Sequence, residues 1–152
     1  GQYWPIRPLA TCTVWLAVDD ANEENGCLKF IRGSHRDKNL KQHEFNKNKN
    51  LTLHQELLKS EFNEKESVNL ILKRGQISLH DVYLVHGSDA NLSSKSRRGM
   101  TMRFMPTTSV FDHNLAKEKY NNLNVSKYSN RKIYLARGYD KSKRNNLEVV
   151  NF

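Results

Sequence analysis

A chain of 152 residues has the length of one domain and can bury a working core. Its composition, 37% hydrophobic and 27% charged, reads as globular, and no apolar run approaches the roughly 20 residues of a membrane span. The formal charge of +9 favours anions in general, but the lysines are scattered among asparagines, as in "FNKNKN" and "KSKRNN", which argues against nucleic acid as a partner.

No basic-then-apolar leader opens the chain, so nothing in it suggests export. Cys12 and Cys27 lack metal-site spacing and read as two reduced thiols of a cytoplasmic protein.

In chain order, "ATCTVWLAV" (Ala10 to Val18) predicts a buried strand, rich in Thr, Val and Trp. "DDANEENG" follows as a turn, with Asn25-Gly26 its strongest signal. "CLKFIRG" predicts a second strand. From Ser34 to about Glu66 the chain is polar and reads as an insertion, a lid or a mobile loop, with an amphipathic helix predicted over Leu51 to Phe62.

"SVNLILKRG" and "QISLHDVYLVHG" predict two more strands, and "GMTMRFM" a last clear one with strict alternation. Beyond Asp112 the chain is polar and basic, apart from "KIYLARG", a short edge strand. Short strands, glycine-marked turns and little helix predict an all-β barrel or jelly roll.

Strand parity selects candidate site residues. If the last strand runs from Arg97, then Arg97, Gly99, Thr101 and Arg103 share one face, while Met100, Met102 and Phe104 share the other and seal a core. The first face, with two guanidiniums, a hydroxyl and the space left by a glycine, is the lining of an anion pocket. On the preceding strand Val82, Leu84 and His86 share a face, with Ser88 just beyond. Taken alone, His86 reads as a satisfied structural histidine.

The segments "YWPIRP", "TVWLAVDDANEENGCLKFIRGSH", "HGSDANLSSKSRRGMTMRFMP" and "IYLARG", in this order, resemble the phytanoyl-CoA dioxygenase family of iron(II)/2-oxoglutarate oxygenases. The resemblance covers nearly the whole chain and is weakest between Arg36 and Glu66. It implies a double-stranded β-helix, a cupin-like jelly roll. It also implies Fe(II) held by a His-x-Asp and a distal histidine, with an arginine eleven residues past that histidine on the far carboxylate of 2-oxoglutarate, and dioxygen as the oxidant.

His86 and Arg97 match the last two positions. By the same resemblance Ser88 hydrogen-bonds the cosubstrate and Trp15 flanks it, although Trp15 reads equally well as a core aromatic. The chemistry is coherent. Two histidines and a carboxylate leave open positions on Fe(II), and a planar guanidinium fits a carboxylate better than an ammonium does.

The departure from the family lies at the start. Family members carry His-x-Asp directly before the "YW" segment, whereas this chain opens "GQYW". The expectation is therefore a C-terminal piece of an oxygenase, with residues 1–113 forming part of the β-helix and residues 114–152 an extension. Such a piece lacks two of three metal ligands and is expected to be inactive alone.

His35-Arg36-Asp37 is itself a His-x-Asp, but it opens the most polar stretch and lies much closer to His86 than the family separation; it is set aside. His80 is expected behind the site or in a loop, and His43, His54 and His113 have no catalytic partner. Arg103, with Arg7 and Tyr3, is a candidate basic rim for an anionic small-molecule substrate, or a structural residue. A non-catalytic anion-binding module is the alternative function. Oligomeric state and substrate identity are not legible.

Overall fold

The strand predicted around Trp15 is the centre of a three-stranded sheet. The computed structural model describes residues 3–48, 54–123 and 128–149. They belong to two compact units, one running from Cys12 to Arg103 and the other combining the residues up to Thr11 with those from Phe104 onward.

In the Cys12–Arg103 unit, β2 (Cys12–Ala17) lies between β7 (Ile77–Asp81) and β9 (Gly99–Phe104). Along β2 the residues Thr13, Trp15 and Ala17 are buried, and their alternation with less buried neighbours defines an inner face. The antiparallel register sets Thr13 opposite His80 and Trp15 opposite Ser78, so β7 presents Ser78 and His80 to the same side.

A second sheet, ordered β6-β3-β8, consists of β6 (Ser67–Leu70), β3 (Leu28–Ile31) and β8 (His86–Ser88). Phe30 is opposite His86, and Leu28 is opposite Ser88. Rings from the two sheets meet, with His80 5.1 Å from His86 and 5.3 Å from Phe30. Two facing sheets with these connections are a double-stranded β-helix.

The interior between them has an apolar end and a polar end. Trp15, Ala17, Ala21, Cys27 and Leu72 form the buried cluster, with Leu28 and Leu70 packed against it. The histidines occupy the Thr13 end of the same interior.

Gly99 is where β9 lies against the Trp15 side chain of β2. The Trp15 indole lies over it, and a Cβ there would collide with the Trp15 ring. The Asn25-Gly26 turn also forms as expected: Gly26 has φ +74°, and the Asn25 amide donates to Asp20 O at 2.8 Å.

Several expectations are corrected. "QISLHDVYLVHG" is not one strand but β7 and β8, which belong to different sheets. Asp81 breaks the run by accepting from Tyr83 N at 2.8 Å through its side chain and from Leu84 N at 3.1 Å through its carbonyl. Val82 and Leu84 therefore do not share a strand face with His86. The His86 strand, β8, pairs with β3 in the second sheet.

Over 54–62 there is no helix. His54 precedes β5 (Gln55–Leu57), which pairs with β4 (His43–Phe45), and short 3-10 turns cover Lys59–Glu61 and Glu64–Glu66. A lone short helix is marginal without a core to pack on, and strand pairing satisfies the backbone instead. The rest of that predicted helix, Leu51 to Leu53, lies outside the described residues.

The face of β9 carrying Met100 and Phe104 does not seal a core. Met100 is 51% exposed and Leu79, on the same outer side of the sheet, 64%. A three-stranded sheet has two faces, and among the described residues only the inner one is covered.

In the other unit β1 (Ile6–Arg7) pairs with β10 (Val110–Phe111). The helix α1 (His113–Leu123), absent from the sequence reading, begins where the Asp112 carboxylate accepts from Leu115 N at 2.9 Å. The predicted edge strand is β11 (Ile133–Tyr134), parallel to β12 (Leu147–Glu148). Trp4 stacks on Tyr128, whose ring also carries the Arg131 guanidinium at 4.7 Å. Asp140 accepts from Ser142 Oγ at 2.6 Å and Asn145 N at 3.0 Å.

Two outcomes follow for stability. Gly99→Ala forces the indole from its seat and should destabilise the chain by about 1–3 kcal/mol, with a red shift of tryptophan emission. An unchanged emission spectrum would contradict the contact. Hydrogen bonds, led by that from Ser142, hold the Asp140 carboxyl down to about 2 from 3.8.

A folded value below the unfolded one means that this contribution is present above the ordinary carboxylate pKa and is lost as pH falls through about 2. Asp140→Asn should therefore be less stable than wild type at neutral pH. In denaturant titrations across the acid range, that deficit should shrink between about pH 4 and pH 2.

Candidate functional site

His86 opens β8 with its imidazole between the sheets. Its Nδ1 lies 2.7 Å from the carbonyl of Leu84, which can only accept, so Nδ1 carries the proton and Nε2 keeps a free lone pair. That is the tautomer a metal-binding imidazole needs. One edge of the ring meets solvent, yet the surrounding protein strips enough water that desolvation, with a contribution from the Arg103 charge, pulls its pKa below 6.5; the hydrogen bond to Leu84 opposes this.

His80, 9% exposed, is pushed further, to about 4, first by burial and then by the neighbouring His86 and Arg103. Both rings are neutral at physiological pH. Ser88 is two residues beyond His86 on the same face of β8 and opposite Leu28, toward the apolar end.

The two neighbouring arginines have opposite surroundings. Arg98 points outward and is held bidentately by Asp19, with Nε and Nη2 each at 2.8 Å from a carboxylate oxygen. This pairing holds the Asp19 carboxyl well below the usual carboxylate range. Arg97 has its Nε buried without a hydrogen-bond partner. A buried guanidinium nitrogen with no acceptor is costly and fits an anion that the protein itself does not supply.

Trp15 takes part in the core and covers Gly99, two residues after Arg97. Arg103, further along β9, is close enough to act electrostatically on both His80 and His86. The two predicted anion-binding arginines thus occupy different ends of β9, Arg97 beside the Val18–Asp19 end of β2 and Arg103 beside the histidines.

The other histidines lie elsewhere. His43 and His54 meet the carbonyls of Lys41 and Asn46, and His113 that of Arg131. His35 sits in the turn after β3, while the Asp37 carboxylate accepts from Asn39 N and Lys41 Nζ. Among the described residues no group of three His, Cys, Asp or Glu side chains could hold a metal ion. Arg7 Nη1 donates to the carbonyls of Trp4 and Ile6.

A groove of about 560 Å³, lined by Ile31, Ser34, Lys41, Glu61, Phe62 and Val85 among others, contains none of the predicted site residues. His80, expected behind the site or in a loop, lies on β7 opposite Thr13. No helix among the described residues is long and apolar enough to cross a membrane.

The chain is similar to known proteins. A "phytanoyl-CoA dioxygenase domain-containing protein 1 homolog" of Caenorhabditis briggsae is 35% identical over 106 residues, 66% of this chain and 36% of its own length. The human "phytanoyl-CoA dioxygenase, peroxisomal" is 29% identical over 108 residues, 68% of this chain and 31% of its own. The chain thus spans about a third of the length of the curated relatives it matches.

Among solved structures, the non-heme monooxygenase ThoJ superposes with a TM-score of 0.58 at 22% identity, covering 70% of this chain and 38% of its own. EvdO2 of Micromonospora carbonacea var. aurantiaca, complexed with 2-oxoglutarate, does so with a TM-score of 0.55 at 24% identity, covering 69% and 40%. Both likenesses speak for the fold. The phytanoyl-CoA dioxygenase (PhyH) family profile matches residues 1–99, and with that span, the β-helix and its inward-facing histidine, the chain belongs to the phytanoyl-CoA dioxygenase family.

Proposed function

We propose that this chain is part of a cytoplasmic Fe(II)/2-oxoglutarate-dependent dioxygenase that hydroxylates a small organic substrate, and that the 152 residues alone do not turn over. The observation that carries the reading is the buried, unpartnered Nε of Arg97, set beside an Arg98 that is fully paired. The free Nε2 of His86 fits a metal; the remaining ligands would come from a His-x-Asp outside these residues.

In this mechanism each side chain has one task. His86 would hold Fe(II) through its Nε2 lone pair. Arg97 receives the far carboxylate of 2-oxoglutarate on its planar fork, Ser88 hydrogen-bonds the cosubstrate, and the Trp15 indole walls it in and excludes water. When bound, iron and 2-oxoglutarate would supply the oxidising chemistry, a hydroxylation by dioxygen coupled to conversion of 2-oxoglutarate to succinate and carbon dioxide. Arg103, on the histidine side of the interior, favours a substrate with a carboxylate or phosphate. The family name alone is no evidence for a phytanoyl-CoA substrate.

A second reading, an anion-binding module without catalysis, draws on the lack of a three-ligand metal group among the described residues. Iron-dependent succinate formation separates the two. The chain joined to an upstream segment carrying His-x-Asp should form succinate, and His86→Ala should abolish it. Succinate from the 152 residues alone, dependent on His35 and Asp37, would overturn the assignment.

In the joined protein Arg97→Ala should weaken 2-oxoglutarate binding by about ten- to a hundredfold, the loss of one charge-assisted contact of roughly 1.5–3 kcal/mol. Arg98→Ala should leave it nearly unchanged by calorimetry, and equal losses would refute the role of Arg97. Arg103→Met should erase a preference for anionic over neutral substrates; an unchanged preference makes Arg103 structural.

A further inference from the structure

His86 is fixed by less than a metal ligand needs. Its one hydrogen bond among the described residues, Nδ1 to Leu84 O at 2.7 Å, selects the tautomer and pins one ring atom. It does not stop the ring from tilting, and the residue is exposed on one side. What remains is packing. Phe30, its cross-strand partner, lies at 6.0 Å between ring centroids with the planes inclined by 43°. His80 lies closer, at 5.1 Å and 48°, and reaches His86 from the opposite sheet. Phe30 and His80 themselves meet at 5.3 Å, which closes a cage of three rings.

His80 is 9% exposed, and its Nδ1 is sealed from solvent with no hydrogen-bond partner. A buried polar atom left unpaired is a cost to folding. What His80 is seen to offer His86 is the packing of its ring, at 5.1 Å. We propose that His80 is a positioning residue: it packs against His86 from the facing sheet and holds that ring at its observed tilt. The proposal rests on His86 being the ligand, but its geometry can be tested without metal.

The test is a long-range 1H–15N correlation of the histidine ring nitrogens in the metal-free 152-residue chain, for wild type, His80→Phe and His80→Ala. Wild type should show His86 protonated at Nδ1. Phenylalanine restores a flat ring and should keep that pattern. Alanine should shift both His86 nitrogens toward the average of a freely exchanging imidazole, while the backbone amide spectrum stays dispersed.

Unchanged His86 nitrogens in a folded His80→Ala chain overturn the proposal. So does a phenylalanine variant that fails as alanine does, because the nitrogen rather than the ring would then matter. If alanine unfolds the chain, His80→Leu, which fills space without a flat ring, replaces it with the same expectations.

In the protein completed by His-x-Asp, Co(II) affinity should fall about ten- to a hundredfold in His80→Ala and recover in His80→Phe. Failure of every form, wild type included, to bind Co(II) would refute the ligand reading of His86 while leaving the metal-free result standing.

Discussion

The indole of Trp15 fills the volume in which any side chain at Gly99 would stand, and the placement of β9 follows from that exclusion. Because position 99 is a glycine, the edge strand can come close enough to the centre of the sheet for a large aromatic to lie across it. Alternation then does the rest. Thr101 and Arg103 inherit the inner side from Gly99, and Met100, Met102 and Phe104 are sent outward. The same contact joins the site to the core, since Trp15 belongs to the buried cluster with Ala17, Cys27 and Leu72. Fold and pocket are therefore not separable here: loosening the core at Trp15 also frees the strand that carries the arginines.

Arg97 and Arg98 show how one sequence answers two electrostatic problems in adjacent positions. A guanidinium at the surface costs little, and Arg98 meets Asp19 with good bidentate geometry, where solvent screens most of the gain. A guanidinium whose Nε is buried must be answered by an acceptor. The surrounding residues leave that nitrogen of Arg97 unanswered. Selection for stability alone would favour filling the position with an apolar side chain. Retaining an arginine there is intelligible when an anion is part of the working molecule.

Much of this was legible from residues alone, for definable reasons. β2, β3 and β9 announced themselves by apolar runs or strict alternation, and the separate directions of Arg97 and Arg98 followed from parity. The division of "QISLHDVYLVHG" was not legible as hydrophobicity, because Val82 and Leu84 continue the apolar pattern straight through the turn. The signal was Asp81, whose side chain takes the Tyr83 amide and bends the chain from one sheet to the other. The error over 54–62 has a different origin: an apolar stripe at helical spacing competes with local strand pairing, and Glu44 opposite Glu56 gave no hint of the latter. The α1 helix was hidden because its composition is polar; only Asp112 as an N-cap marked it.

The interior is graded along its length, and that grading gives the proposed chemistry its direction. At one end Leu28, Leu70 and Trp15 make a dry wall beside Gly99. At the other, His80, His86 and the field of Arg103 make a polar one. Ser88 lies between them, two residues past His86 on the same face and opposite Leu28. Under the proposed function a dicarboxylate laid along this axis, one end at His86 and the other at Arg97, would place its charged far end beside the buried Nε of the guanidinium, where screening is weaker than in open solvent. The metal-facing end would stay near the opening, where a substrate can enter. Reversing it would set a carboxylate near the open side and leave Arg97 unpaired in the dry end. Under the proposed function Arg97 would select not only an anion but the orientation in which it binds.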